Sequence, residues 1–238
     1  MRIVNLGILA HVDAGKTSLT ERILYQTGVI PAIGRVDHGD THTDTLDLER
    51  ERGITIQSAV VSFRIGDLKV NLIDTPGHPD FIAEVERALS VLDAVILVVS
   101  AVEGIQPQTR RLFRAIQARH LPCLLFVNKI DRAGARDDAL LIELKDDLTA
   151  RPLVLAGARD IGSREATSVP RDLTQPSTRD ATIEVLGERE PGLLDRWVEA
   201  GGWLDEQAVR VAIRRQFQCG SLHPVVFGSA MTGAGVSQ

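Results

Sequence analysis

Cysteine is scarce in this chain, with only Cys123 and Cys219 among 238 residues. A disulfide-stapled extracellular scaffold is thereby excluded. Cys123 falls inside an apolar strand pattern and Cys219 near the end of a helical one, so both read as reduced thiols of a cytoplasmic protein. Long apolar runs are also missing. The most apolar strand pattern, Ala94 to Val99, falls far short of the ~20 residues that a membrane-spanning helix needs. No membrane association is expected, and no leader segment either, because the N-terminus runs straight into a strand pattern. Positive charge is in deficit. Lys and Arg number 27 against 32 Asp and Glu, giving a net charge of −5 and a pI near 5.7. That balance argues against a sequence-specific DNA binder, which usually carries a basic domain. Local rows of arginine remain, at Arg110, Arg111, Arg114 and Arg119 and at Arg210, Arg214 and Arg215. Each reads as a solvated helix face or as a patch for an acidic partner.

Apolar residues make up 44% of the chain, enough for one large or two small domains. Strand and helix patterns alternate over residues 1–150, which predicts an α/β fold with a mostly parallel sheet. One local exception is Ile54 to Ile65 followed by Leu68 to Ile73, joined by Gly66-Asp67. Such a hairpin signal predicts an antiparallel edge strand. Helices are expected near Gln108 to Arg119 and Asp137 to Leu148. Residues 151–222 break the rhythm. They offer one weak strand at Leu153 to Ala156 and a polar stretch, Arg159 to Asp180, that is poor in strand formers and expected to be loosely ordered. Helical patterns follow at Ala181 to Leu186, Leu193 to Ala200 and Glu206 to Gln218. We read this segment as an inserted α+β subdomain, with residues 223–238 returning to the core.

The most informative stretch is Ala10-His11-Val12-Asp13-Ala14-Gly15-Lys16-Thr17, with Ser18 completing the first turn after it. It lies between a strand pattern (Ile3, Val4, Leu6, Ile8, Leu9) and a helical one (Leu19, Ile23, Leu24). A loop so placed presents successive backbone N–H groups and a helix N-terminus to an anion. Lys16 can reach the outer phosphates, where its charge is catalytic, and the Thr17 hydroxyl can bind Mg²⁺. Asn128-Lys129-Ile130-Asp131 follows the strand pattern Leu121 to Val127. A carboxylate only accepts hydrogen bonds, so Asp131 suits the two donors on the guanine edge. Asn128 would tie the loop together and the Lys129 stem would cover the base. Pro224 to Phe227 leads into Gly228-Ser229-Ala230, whose backbone is expected to meet the base oxygen.

Between these motifs stands Asp74-Thr75-Pro76-Gly77-His78, at the end of the Leu68 to Ile73 strand. Asp74 would hold Mg²⁺ through water. The Gly77 N–H would sense the γ-phosphate, and His78 would either orient the attacking water or merely open the helix that follows (Phe81, Ile82, Val85, Ala88, Leu89, Leu92). The polar segment Val36 to Thr55 is expected to order around ligand, with Thr55 adding a hydroxyl to Mg²⁺. His38 and His42 with neighbouring Asp residues form a rival transition-metal site, but no cysteine cluster completes it.

Ala-His-Val-Asp-Ala-Gly-Lys-Thr, Glu-Arg-Gly-Ile-Thr-Ile, Asp-Thr-Pro-Gly-His and Asn-Lys-Ile-Asp together resemble the GTP-binding domain of translational GTPases, within them the elongation factor G group. Val36-Asp37-His38-Gly39-Asp40-Thr41-His42-Thr43-Asp44 is similar to the corresponding stretch of ribosomal-protection tetracycline-resistance proteins, and the shorter insert between Asp131 and Ser229 looks like theirs. The resemblance implies a P-loop NTPase fold in three layers and a Mg²⁺-dependent, ribosome-stimulated GTPase. It implies GTP and GDP as ligands and the ribosome as partner of a longer, monomeric protein whose downstream domains lie beyond this sequence. An elongation factor G-like translocase fragment, or a GTP-binding module with negligible turnover, are the alternatives. The resemblance also implies a monovalent cation near Asp13, and an apolar gate of Val12 and Ile54 before His78.

Overall fold

The computed structural model describes residues 2–34, 59–74, 82–148, 150–202 and 204–237. Its centre is one eight-stranded sheet of order β2-β3-β1-β4-β5-β8-β6-β7. The strands are β1 (Arg2–Ala10), β2 (Ala59–Ile65), β3 (Leu68–Asp74), β4 (Ala94–Ser100), β5 (Cys123–Asn128), β6 (Pro152–Arg159), β7 (Thr167–Pro170) and β8 (His223–Phe227). The helices, numbered in chain order, are α1 (Lys16–Gln26), α2 (Ile82–Leu89), α3 (Pro107–Ala118), α4 (Asp138–Leu148), α5 (Pro176–Gly187), α6 (Pro191–Glu199) and α7 (Glu206–Gln218).

Three layers follow from the two-residue period of the strands. Ile8, Ala10, Val98 and Phe126 point to the face covered by Leu19 and Leu24 of α1. Their neighbours Leu9, Leu97, Val99, Leu125 and Val127 point to the opposite face. There they meet Val85 and Leu89 of α2, Leu112, Phe113 and Ile116 of α3, and Leu140, Leu144 and Leu148 of α4. The spacing of that last trio places one apolar stripe on the sheet. Cys123 is fully enclosed, and burial pushes its thiol up to about 12. Both cysteines are free.

The central strands are parallel, β1 with β3 and β4, β4 with β5, and β5 with β8. The expected hairpin pairs β2 with β3, Ile65 opposite Leu68 across Gly66-Asp67. β2 begins at Ala59, and the earlier part of that expected strand lies outside the described residues.

The sheet has a second antiparallel edge that the sequence reading lacked. Arg159 to Asp180 was expected to be strand-poor and loosely ordered, yet Thr167–Pro170 pairs with Ala156–Arg159 and α5 starts at Pro176. Pairing with an existing strand outweighs weak intrinsic preference. β6 itself joins the main sheet beside β8. The helices α5, α6 and α7 gather round a separate apolar cluster built on Ile183, Leu186, Leu193 and Val209. Members of both arginine rows are paired: Arg110 with Asp147 at 2.6 Å, Arg210 with Glu206 at 2.6 Å, and Arg215 with Glu190. Among the described residues no helix is long and apolar enough to cross a membrane.

Candidate nucleotide site

β1, β3, β4 and β5 run parallel, so their carboxyl ends share one edge of the sheet. Residues 10–18 follow β1, Asp74 ends β3, Ser100 ends β4 and Asn128 ends β5. The strand order reverses at β1, whose neighbours are β3 and β4. Ligands of open α/β sheets bind in the crevice at such a reversal.

The loop from Ala10 folds tightly. Ala14 N–H donates to the His11 carbonyl at 3.2 Å. Asp13 and Gly15 both adopt left-handed backbone, φ 63° and 94°. Gly15 caps α1, and a Cβ there would overlap the Asn128 amide. The first helical bond runs from Leu19 N–H to the Gly15 carbonyl at 3.0 Å. The N–H groups of Lys16, Thr17 and Ser18 precede it and have no intrahelical acceptor. Ala10, His11, Ala14, Lys16 and Thr17 are buried, while Val12 is exposed. Lys16 Nζ donates to Asp74 Oδ1 at 2.5 Å, joining the phosphate candidate to the metal candidate in a buried ion pair.

Asn128 links three segments. Its Nδ2 donates to the Ala14 carbonyl at 2.8 Å, and its Oδ1 accepts the Ala230 N–H at 2.9 Å. Ile130 N–H donates to the Gly228 carbonyl at 3.3 Å, tying the two base loops together. The Asp131 side chain is largely enclosed. Among the described residues its Oδ1 has no hydrogen-bond partner, and Oδ2 lies 3.8 Å from Arg132 Nε. Lys129 takes φ 69° and its ammonium donates to Glu103 Oε1 at 2.9 Å. Burial pushes the Glu103 carboxyl up, but the bond and charge of Lys129 outweigh it and leave it below the usual carboxylate range. His11 packs behind the loop with Nδ1 3.1 Å from Thr109 Oγ1, and burial lowers its pKa.

The Ala230 N–H is engaged by Asn128 rather than left for a base. In the turn 229–233 the Met231 N–H is the one that makes no hydrogen bond among the described residues. Ser229 is fully buried, its N–H on the Ala234 carbonyl at 2.9 Å. Arg22 and Glu103 also hold this region and were missed. No local motif marks them, because both act through contacts distant in sequence. Thr55, Thr75, Pro76, Gly77, His78, Ile54, and the rival metal residues His38 and His42 lie outside the described residues. Among the described residues no cluster of three metal-ligating side chains occurs.

The arrangement offers an ammonium, the N–H groups of a helix N-terminus and hard oxygen donors at one end. At the other it offers a carboxylate oxygen awaiting donors. The model of the elongation factor Tu GTP binding domain family matches residues 1–238. The chain is 52% identical over 237 residues to the oxytetracycline resistance protein of Streptomyces rimosus, covering 99% of this chain and 36% of that protein. It is 50% identical over 238 residues to the tetracycline resistance protein TetM of Streptomyces lividans, covering 100% of this chain and 36% of that one. It thus spans about a third of the length of these curated relatives. A Thermus thermophilus protein known by crystal structure shares the fold at TM-score 0.85 and 27% identity, covering 99% of this chain and 39% of that one.

Proposed function

This chain belongs to the elongation factor Tu GTP binding domain family, and from that premise we propose that it binds GTP and GDP and hydrolyses GTP. The observation that carries the base assignment is the buried Oδ1 of Asp131, which has no partner among the described residues. It is set in loops that Asn128 ties to the phosphate loop. Guanine presents two donors to that carboxylate, whereas adenine would leave it unsatisfied.

Lys16 and the N–H groups heading α1 would bind the β- and γ-phosphates and draw charge off the phosphoryl oxygens as it develops. The Thr17 hydroxyl and the Asp74 carboxylate, both buried oxygen donors, fit a hard divalent cation such as Mg²⁺, with Thr55 as a further proposed donor. When bound, Mg²⁺ neutralises charge on the β- and γ-phosphates. In the reaction a water oxygen bonds to the γ-phosphorus, the bond to the β-phosphate oxygen breaks, and GDP, phosphate and a proton leave. We assign His78 to orienting that water, behind the gate of Val12 and Ile54, and the exposed Asp13 carboxylate to a monovalent cation. The identity to the two resistance proteins supports a cytoplasmic, ribosome-acting role in tetracycline protection.

The test is single-turnover GTP hydrolysis by a protein extended with the downstream domains of its relatives, with and without ribosomes. Stimulation by ribosomes in the wild type, lost in His78→Ala with GTP affinity retained, is the expected result. Equal stimulated rates in both would remove His78 from the chemistry, and no stimulation in either would remove the ribosome.

A further inference from the structure

Arg22 lies on α1, the helix that Lys16 opens. Its guanidinium reaches across to the loop after β8. Nε donates to the Ala230 carbonyl at 2.9 Å, and a terminal nitrogen donates to the Met231 carbonyl. The Ala230 carbonyl belongs to the same peptide unit as the Met231 N–H. That peptide is trans, so its two polar groups point in opposite directions. Anchoring the carbonyl on α1 therefore aims the N–H away from Arg22. The other N–H groups of the turn are already engaged. Ser229 bonds Ala234, Ala230 bonds Asn128, Thr232 bonds Ser229 Oγ and Gly233 bonds the Ser229 carbonyl. Gly233, at φ 89°, closes the turn beside Arg22, where an added Cβ would sit 3.5 Å from Arg22 Cδ.

We propose that Arg22 is a positioning residue for recognition of the purine 6-oxo group, holding the Ala230–Met231 peptide so that its N–H faces a base oxygen. This role rests on the guanine-nucleotide reading given above. Arg22 acts through the backbone and through no contact of its own with the nucleotide. Asp131 reads the other edge, the ring N–H and the 2-amino group. Base selectivity thus divides into two separable halves, one hung from α1 and one from the loop after β5.

Competition against a fluorescent GDP analogue separates them, using the 238-residue chain. The competitors are GDP, inosine diphosphate and the diphosphate of 2,6-diaminopurine riboside. Inosine keeps the 6-oxo group and lacks the 2-amino group. Diaminopurine keeps the 2-amino group, replaces the 6-oxo group by an amine and loses the ring N–H, so the 6-oxo half is read from how each variant changes its affinity relative to wild type. Arg22→Met is expected to weaken GDP and inosine diphosphate together by about tenfold, with their ratio unchanged. Diaminopurine binding should change little, so the preference for GDP over it falls. Arg22→Lys, with one donor group for two carbonyls, should recover part of the loss. Should Arg22→Met fail to fold, Arg22→Lys carries the test by itself, with a smaller loss confined to the two 6-oxo nucleotides. Wild-type GDP affinity in these variants overturns the proposal. So does an equal loss for all three nucleotides, the outcome of a purely structural role. A wild-type chain that binds no guanine nucleotide overturns the reading of the site and this role with it.

Discussion

Asp131 holds a buried acceptor, beside Arg132, that is unsatisfied among the described residues. Such an acceptor costs about 1–3 kcal/mol, which the right ligand recovers on binding. Asp131→Asn replaces it by a group that presents a donor to the guanine donors. GDP affinity should fall about 100-fold and purine choice should relax toward xanthine, as read by competition binding. Thr17→Ala removes only a candidate metal donor, so its affinity loss should be larger in Mg²⁺ than in EDTA; equal losses would argue against that assignment. His223 offers a pH test away from the site. It is buried at the start of β8, its Nδ1 accepts the Arg151 N–H at 3.0 Å, and its ring lies 4.9 Å from that of Phe113. Burial and the Arg151 charge push its pKa down to about 4. The unfolded chain takes up this proton near 6.5 and the folded chain only near 4. Stability is therefore full above about 6.5 and declines as pH falls toward 4, by up to ~3 kcal/mol from this group. His223→Gln keeps an acceptor and does not titrate, so urea unfolding across that range should show a shallower slope. An unchanged slope would exonerate the histidine. Lys16, Asn128 and Asp131 were legible because their place at strand ends is a sequence pattern. Arg22, Glu103 and the Asn128–Ala230 contact were not, since each depends on which distant group a side chain reaches.

The strands of the main sheet were legible because both faces are covered, which demands unbroken apolar runs such as Ala94–Ser100. β7 was not. Thr167-Ser168-Val169-Pro170 holds two β-branched residues but is only four residues long within a polar stretch, and its order comes from β6 alongside it. The turn between them also matters to the site, since Gly162 N–H donates to the Ile130 carbonyl at 2.7 Å. The helices α5 to α7 were found by their periodicity, and their apolar cluster is distinct from the two that sandwich the sheet. Leu186 is fully buried in that third cluster. Leu186→Ala should cost about 2–5 kcal/mol in urea unfolding. GDP affinity of the folded variant should stay within about twofold, because the change leaves the base loops in place. A large affinity loss in a still-folded variant would show that the helical segment is coupled to the nucleotide.

The molecule as a whole brings the ends of β1, β3, β4, β5 and β8 to one edge, and the residues with chemistry end or follow those strands. The Lys16–Asp74 pair closes the phosphate end and Asn128 braces it against the base end. The proposed phosphate and base ends are thus built into one frame. The most direct measurement of that claim is displacement of a fluorescent GDP analogue from the wild-type chain by GDP, ADP and xanthosine diphosphate in Mg²⁺. GDP should displace it at stoichiometric concentrations. ADP and xanthosine diphosphate should fail even at about a thousandfold excess, within the discrimination that an acceptor matched to missing donors can supply. Displacement by ADP as readily as by GDP, or no binding of the analogue at all, would contradict the account.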